Sequence, residues 1–283
     1  MRIGVNGASG QLGRGVLQAL QECAGGHDLV AITRSPESVV APMEGRFGDY
    51  DKPESLASAY AGLDRLLLIP SADLQPGVRS AQSVAAVNAA LGAGVGHIFL
   101  VSATGTREKA EPAMGAAYWA AEHHLLRSDA RAWTILRMNY FGETLAQEVQ
   151  MAASTGVLPG FAENRVAYVS RDDVAAACAG ALASDGHNGA TYNLSGPAAI
   201  TGAERASLLS EAGGKPLKFA VISEAQFRGG LAQANMPPFL IDALASMQAA
   251  FVDGVYDIVT GDIEKLAGRA PRPLRDILAS AFA

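Results

Sequence analysis

Arg2-Ile3-Gly4-Val5-Asn6-Gly7-Ala8-Ser9-Gly10-Gln11-Leu12-Gly13-Arg14-Gly15-Val16-Leu17-Gln18-Ala19-Leu20 is the stretch that decides the fold. It reads as a short apolar strand, a glycine turn and an Ala/Leu helix. A strand turning tightly into a helix aims the helix's free N–H groups and positive dipole end at one point, and a pyrophosphate suits that point. Gly7 permits the tight turn, Gly10 lets phosphates approach the backbone, and Gly13 lets the helix lie close on the sheet. The spacing G-x-x-G-x-x-G is one residue wider at its start than the dinucleotide fingerprint G-x-G-x-x-G. With 31 glycines in 283 residues, such a triplet by itself also fits a purely structural turn. Its place between an Ile/Val strand and an Ala/Leu helix points to a dinucleotide, with Ser9, Gln11 and Leu12 of the turn joining the glycines as contacts.

The next strand bears on which dinucleotide. Leu29-Val30-Ala31-Ile32-Thr33 ends in Arg34-Ser35-Pro36, where a carboxylate would grip the adenosine ribose of NAD. No Asp or Glu occurs between Leu29 and Pro36. A guanidinium fork pairs with a 2'-phosphate that an acid would repel, so NADPH is expected over NADH. Arg14, just past the turn, would add a second positive charge near the same phosphate.

At 49% hydrophobic and 18% charged, the chain has the means to bury a full core. A net charge of −6 with scattered Lys and Arg leaves no basic stripe, which argues against a nucleic-acid partner. Cys23 and Cys178 lie far apart in Ala-rich helical stretches and read as small core residues. The five histidines show no metal-ligand spacing, so no metal is expected. No long uncharged apolar run is present and the chain starts directly on a strand, so a soluble, cytoplasmic protein is expected, away from membranes.

Strand-like runs at Arg2–Asn6, Leu29–Thr33, Gly45–Gly48, Arg65–Ile69, His97–Ser102 and Trp133–Arg137 alternate with helical stretches, notably Ser80–Leu91 and Met114–Arg127. This rhythm predicts an α/β fold: a doubly wound parallel sheet with ligands at the strands' C-terminal edge. Val166–Tyr168 and Ala190–Leu194 read as further strands around a helix at Asp172–Leu182. Beyond Gly196, helices are expected at Ala203–Glu211, Glu224–Ala234, Pro238–Asp253 and Asp262–Leu266. The division expected is a Rossmann-like dinucleotide domain over 1–141, to which 165–196 returns, and a smaller, mostly helical lobe over 142–164 and 197–283.

Five blocks in order carry a resemblance: Gly7–Gly13, Arg34-Ser35-Pro36, Gly48-Asp49-Tyr50-Asp51, Trp133-Thr134-Ile135-Leu136-Arg137 and Gly189–Pro197. Together they resemble the NmrA-like, atypical short-chain dehydrogenase/reductase group, in the branch of bacterial type-2 NAD(P)H:quinone oxidoreductases and triphenylmethane reductase. The likeness runs from Met1 to the Gly268-Arg269-Ala270-Pro271 tail. It implies that Gly7–Gly13 hold the pyrophosphate and Arg34 the 2'-phosphate. By the same likeness Asp49 and Tyr50 border the adenine, Ile69, Pro70 and Ser71 border the ribose on the nicotinamide side, and Val101 is a further expected cofactor contact. Asn139, Tyr140 and Phe141 would wall the nicotinamide and a flat substrate.

One departure matters. Ordinary short-chain dehydrogenases place Tyr and Lys four residues apart, the lysine lowering the tyrosine's pKa for proton exchange. None of the seven tyrosines here has Lys at that offset. Relatives in the group often carry Lys or His four residues before the helix glutamate matched by Glu122, and this chain has Tyr118 there. Quinone reduction fits that absence, because a quinone accepts hydride readily and its reduced oxygens take protons from water or a nearby hydroxyl. Tyr118, Ser102 and Asn139 are the candidate catalytic residues, with Thr104 as a further hydroxyl. Tyr140, Phe141, Met236 and Phe239 would make an apolar aromatic slot for the substrate. The expected activity is NADPH-dependent reduction of a quinone or similar flat acceptor. The alternatives are another aromatic or enone acceptor, or a non-catalytic dinucleotide sensor; a homodimer is also compatible.

Overall fold

In a computed structural model of the chain, residues 1–23, 26–109, 115–152 and 156–282 are described. The first half runs β1 (Arg2–Asn6), α1 (Gln11–Glu22), β2 (Asp28–Thr33), β3 (Glu44–Phe47), α2 (Leu56–Tyr60), β4 (Arg65–Leu68), α3 (Val78–Gly92), β5 (His97–Ala103), α4 (Ala116–Leu126), β6 (Trp133–Met138) and α5 (Gly142–Ala152). The second half adds β7 (Val157–Gly160), β8 (Arg165–Val166), α6 (Arg171–Ala183), β9 (Ala190–Leu194), β10 (Ile200–Thr201), α7 (Gly202–Gly213), β11 (Lys218–Val221), α8 (Glu224–Gln233), α9 (Pro238–Val252), α10 (Asp262–Ala267) and α11 (Leu274–Phe282).

The main sheet has seven strands in the order β3-β2-β1-β4-β5-β6-β9, every pair parallel. The fold is thus the expected Rossmann-like α/β architecture. Its central strands are apolar along their whole length because both faces are covered: Ile3, Val5, Leu66, Leu67, Phe99 and Leu100 are all buried. On one face Ile3, Val5 and Val101 meet Val16 and Leu17 of α1, Val174 and Cys178 of α6, and Ile263 and Leu266 of α10. On the other, Val30, Ile98 and Leu100 meet Leu56 and Tyr60 of α2, Val87 and Ala90 of α3, and Ala121 and Leu125 of α4. Each such Leu or Val contributes roughly 1.5–3 kcal/mol by leaving water. Cys178 is inert packing, its thiol pushed up to about 12 by burial.

Strand order reverses between β1 and β4, which opens a crevice where those two strands end. Gly7 and Ile69 flank it so closely that a Cβ on Gly7 would stand 3.3 Å from the Cβ of Ile69.

A third core gathers Leu145 and Leu158 with Leu209, Met247, Phe251 and Leu278, and includes Val166 and Tyr168. The sequence reading missed several of its elements. β7 pairs with β11 in a separate two-stranded parallel sheet, and α11 buries Leu274, Ile277 and Leu278. The run Val166–Tyr168 is not a strand of the main sheet: Arg165 and Val166 pair with β10, and Val169 bridges Phe141. Met114, the expected first residue of the fourth helix, lies outside the described residues; α4 is described from Ala116.

Candidate active site

The crevice is a cleft of about 770 Å³, a size typical of small-molecule and cofactor sites. Its floor is the turn from Gly7 to α1, between the ends of β2 and β4. Gly7 adopts φ +82°, open to glycine at no cost, and its N–H donates to Asn6 Oδ1 at 2.8 Å. A Cβ on Gly13 would lie 2.3 Å from the carbonyl oxygen of Gly7, so only glycine lets α1 begin this close to the turn. Gly10 differs: its φ of −71° suits any residue, and a Cβ there would meet only the Gly7 oxygen, at 3.2 Å. Helix α1 has no side-chain N-cap and no acid in its first turn. A positive helix end left without an internal partner, on the wall of an open cleft, fits an anionic phosphate group.

Ser9, Gln11 and Leu12 line the cleft beside these glycines, and Arg34, Asp49, Tyr50, Ile69, Pro70 and Ser71 continue it. Arg34 is exposed, with neither ion pair nor side-chain hydrogen bond among the described residues. The turn behind it is fixed by the Ser35 N–H, which donates to Thr33 Oγ1 at 3.3 Å. Tyr50 donates its hydroxyl to the Ile69 carbonyl at 2.7 Å, and burial raises its phenol pKa, so it walls the cleft as a neutral ring. Gln82 of α3 ties the two lips: its Nε2 donates to Asp51 Oδ1 at 2.7 Å while its Oε1 accepts from Ser71. Arg14 is exposed on α1 and does not line the cleft.

At the other end stands Tyr118. Glu122, one turn further along α4, is fully buried and takes a two-pronged bond from Arg137 of β6, at 2.9 and 2.5 Å. That pair, charge-assisted and bidentate, fixes α4 and turns Tyr118 into the cleft. Arg79 of α3 donates to the Tyr118 hydroxyl at 3.2 Å and lies 5.2 Å from its ring centre. Tyr140 meets Tyr168, Phe251 and Tyr256 edge-on, with ring centres 5.3–6.2 Å apart. Burial, and then neighbouring Tyr118, hold the Tyr256 phenol well above its ordinary pKa. Phe141, with Arg171 5.1 Å from its ring, completes the aromatic wall.

Besides Arg14, six of the expected residues lie outside the cleft lining, the buried Thr104 among them. Val101 is buried in the sheet core. Ser102 is buried beneath the cleft, its hydroxyl 3.1 Å from Thr106 Oγ1. Asn139 spends its amide on the scaffold, accepting from the Tyr140 N–H at 2.7 Å and donating to the Tyr256 carbonyl at 3.1 Å. Met236 and Phe239 do not line the cleft, and Phe239 is 38% exposed. The aliphatic side of the slot comes instead from Ala243, Leu244 and Met247, one and two turns further along α9, with Thr144 of α5 and Tyr256. The spacing of Leu240, Ala243, Leu244 and Met247 along one helical stripe was the available signal. Nothing in the sequence singled out Arg79 or Gln82.

Comparison with known proteins places this geometry. Residues 7–185 match the NAD(P)H-binding family, and the chain belongs to that family. Quinone oxidoreductase 2 of Escherichia coli (strain K12) is 31% identical to it, over 99% of this chain and 98% of the relative. A crystal structure of an NADPH-dependent quinone oxidoreductase from Escherichia coli complexed with NADPH superposes with a TM-score of 0.89 at 30% identity, covering 99% of this chain and 100% of the other. Triphenylmethane reductase of Citrobacter sp., complexed with NADP(H), superposes with a TM-score of 0.87 at 28% identity, again over 99% and 100%. The protein is an NAD(P)H-dependent oxidoreductase. Among the described residues no helix is long and apolar enough to cross a membrane.

Proposed function

We propose that this oxidoreductase prefers NADPH and delivers hydride to a quinone or a similar flat conjugated acceptor. The carrying observation is one continuous cleft that runs from an exposed arginine, past an uncapped helix start, to an apolar aromatic slot lined by a tyrosine hydroxyl. The first-turn N–H groups of α1 take the pyrophosphate, and Arg34 takes the 2'-phosphate in a charge-assisted pair. The reduced nicotinamide supplies hydride when bound. Tyr140, Phe141, Leu244 and Met247 press a planar acceptor against it and keep water away, so positioning provides most of the rate enhancement. Tyr118 stands where it can give a proton to an acceptor oxygen, with solvent as the other source. The dinucleotide half comprises 1–141 and 165–196, and the slot is closed by 142–164 and 197–283. The quinone oxidoreductase and the dye reductase among its relatives support an acceptor of this shape.

The test follows absorbance at 340 nm with NADPH or NADH, with and without a benzoquinone or naphthoquinone. Acceptor-dependent oxidation, faster with NADPH, is the expected result. Tight NADPH binding with no turnover across quinones and enones overturns the reading.

A further inference from the structure

Three arginines are buried among the described residues: Arg65, Arg79 and Arg205. Arg65 is paired with Asp185 and also donates to the carbonyls of Leu182 and Ser184. Arg205, whose Nε lacks an acceptor, bonds the Tyr168 hydroxyl at 3.0 Å and Asn164 Oδ1 at 2.7 Å, is enclosed by three aromatic rings, and does not reach the cleft. Arg79 is different. It is 9% exposed, lines the cleft, makes its one hydrogen bond to the neutral Tyr118 hydroxyl, and, like Arg205, leaves Nε without an acceptor. The cleft acids are engaged elsewhere: Asp51 accepts from Gln82, Asp49 from the Asp51 N–H and Asp73 from the Gln75 N–H. No carboxylate pairs with Arg79 among the described residues. A buried guanidinium with one neutral partner is costly unless something negative arrives to meet it.

We propose that Arg79 is the anion-receiving group of the acceptor subsite, bonding the acceptor oxygen on which negative charge builds during reduction. This rests on the hydride-transfer reading. A neutral quinone takes one hydrogen with two electrons from the reduced nicotinamide, which is left oxidised, and becomes a hydroquinone monoanion with its charge on oxygen. One proton, from the Tyr118 hydroxyl and then replaced by solvent, completes the hydroquinone. A fixed, largely desolvated cation at that oxygen stabilises the charge as it forms, without any reorganisation. The hydroxyl that Arg79 already holds is thereby kept beside the same oxygen. The same arrangement favours acceptors that carry an oxyanion before reaction.

Two ring systems of matched size separate the possibilities: 2-hydroxy-1,4-naphthoquinone, ionised at neutral pH, and neutral 2-methyl-1,4-naphthoquinone. Each is titrated by calorimetry into protein saturated with NADP+, which cannot turn over, using wild type, Arg79→Met and Arg79→Gln. Both variants are expected to keep NADPH affinity and to bind the anionic ring about tenfold or more weaker than wild type. Binding of the neutral ring should change less than about threefold, while kcat for its reduction falls roughly 100-fold with little change in KM. Arg79→Gln retains a donor for Tyr118, so an equal loss in both variants assigns the effect to charge rather than to the tyrosine's placement. Equal weakening of the two rings, or a matching loss of NADPH affinity, overturns the assignment. Quinone turnover by wild type that Arg79→Met leaves intact defeats the role of Arg79 alone. Selective, Arg79-dependent binding of the anionic ring by a wild type that reduces no quinone defeats the reductase reading and leaves the anion subsite standing.

Discussion

Helices α1 and α6 pack side by side on one face of the sheet, yet they begin in opposite ways. At α6, Ser170 Oγ accepts from the Asp173 N–H at 3.0 Å, and Asp172 and Asp173 occupy the first turn. Asp173 is fully buried, pairs with Arg269, and accepts from the Arg272 N–H at 2.8 Å. The chain's own carboxylate thus answers the helix dipole and pins the C-terminal tail. At α1 there is no side-chain cap and no acid, and the helix start lines the cleft. Two helix ends with the same dipole are therefore one closed and one open. The first stabilises the fold, and the second is available to a phosphate that the chain does not contain.

The largest break in this contrast comes from Gly10→Val. The backbone at Gly10 suits valine, the nearest backbone oxygen must give by a few tenths of an ångström, and the added bulk crowds the cleft at the α1 start. NADPH affinity is expected to fall about a thousand-fold, ~4 kcal/mol, with the melting temperature nearly unchanged. Gly13→Ala should do the reverse, because its Cβ would stand 2.3 Å from the Gly7 oxygen and the fold itself must yield. Normal NADPH binding by a folded Gly10→Val protein would remove α1 as the cradle.

At the closed end, Asp173→Ala leaves the Arg269 guanidinium and the Arg272 N–H without their acceptor. The expected cost is about 3 kcal/mol, seen as a lower urea midpoint at constant slope. NADPH affinity of the folded protein should not move. Asp173→Asn, which can still accept from Arg272, should lose less. A stability change for Asp173→Ala within experimental error would mean that the tail is held by other contacts.

These two helix ends also show how much was legible in the chain. The β1–α1 junction was read from sequence because its apolar run and glycines act locally, within a dozen residues. The helix expected at Asp172–Leu182 opens on two acids, so first-turn charges were legible there too. Their union with Arg269 was not, because it joins residues 96 apart in sequence. The same rule sorts the cleft. The residues after β1 and β2 were legible from the strand ends, whereas those after β3 and β4 came with the family resemblance. Arg79, Ala243, Leu244 and Met247 reach the cleft through tertiary packing of α3 and α9. Ser102, Val101 and Asn139 sit at or near strand ends too, but strand alternation and backbone hydrogen bonds turn them inward.

Arg34→Glu sharpens the open end by asking which phosphate the cleft reads. Replacing an exposed, unpaired guanidinium with an acid should weaken NADPH relative to NADH by about 2 kcal/mol. The measurement is a pair of dissociation constants by fluorescence titration. Equal losses for the two nucleotides would sink the 2'-phosphate assignment while leaving the pyrophosphate cradle untouched.

The smallest effect is the most direct exchange between the two ends. Ser170→Ala removes the cap of α6 and should cost about 1 kcal/mol of stability, with no change in cofactor affinity. Gly10→Ser places a capping oxygen where α1 has none, so stability should rise by a few tenths of a kcal/mol. The serine oxygen would then compete with phosphate for the same N–H groups, and NADPH binding should weaken in the same protein. Opposite signs for stability and affinity in Gly10→Ser, set against a pure stability loss in Ser170→Ala, are what an open and a closed helix end require. A Gly10→Ser protein that binds NADPH as tightly as wild type would mean that the first-turn N–H groups are not what holds the cofactor.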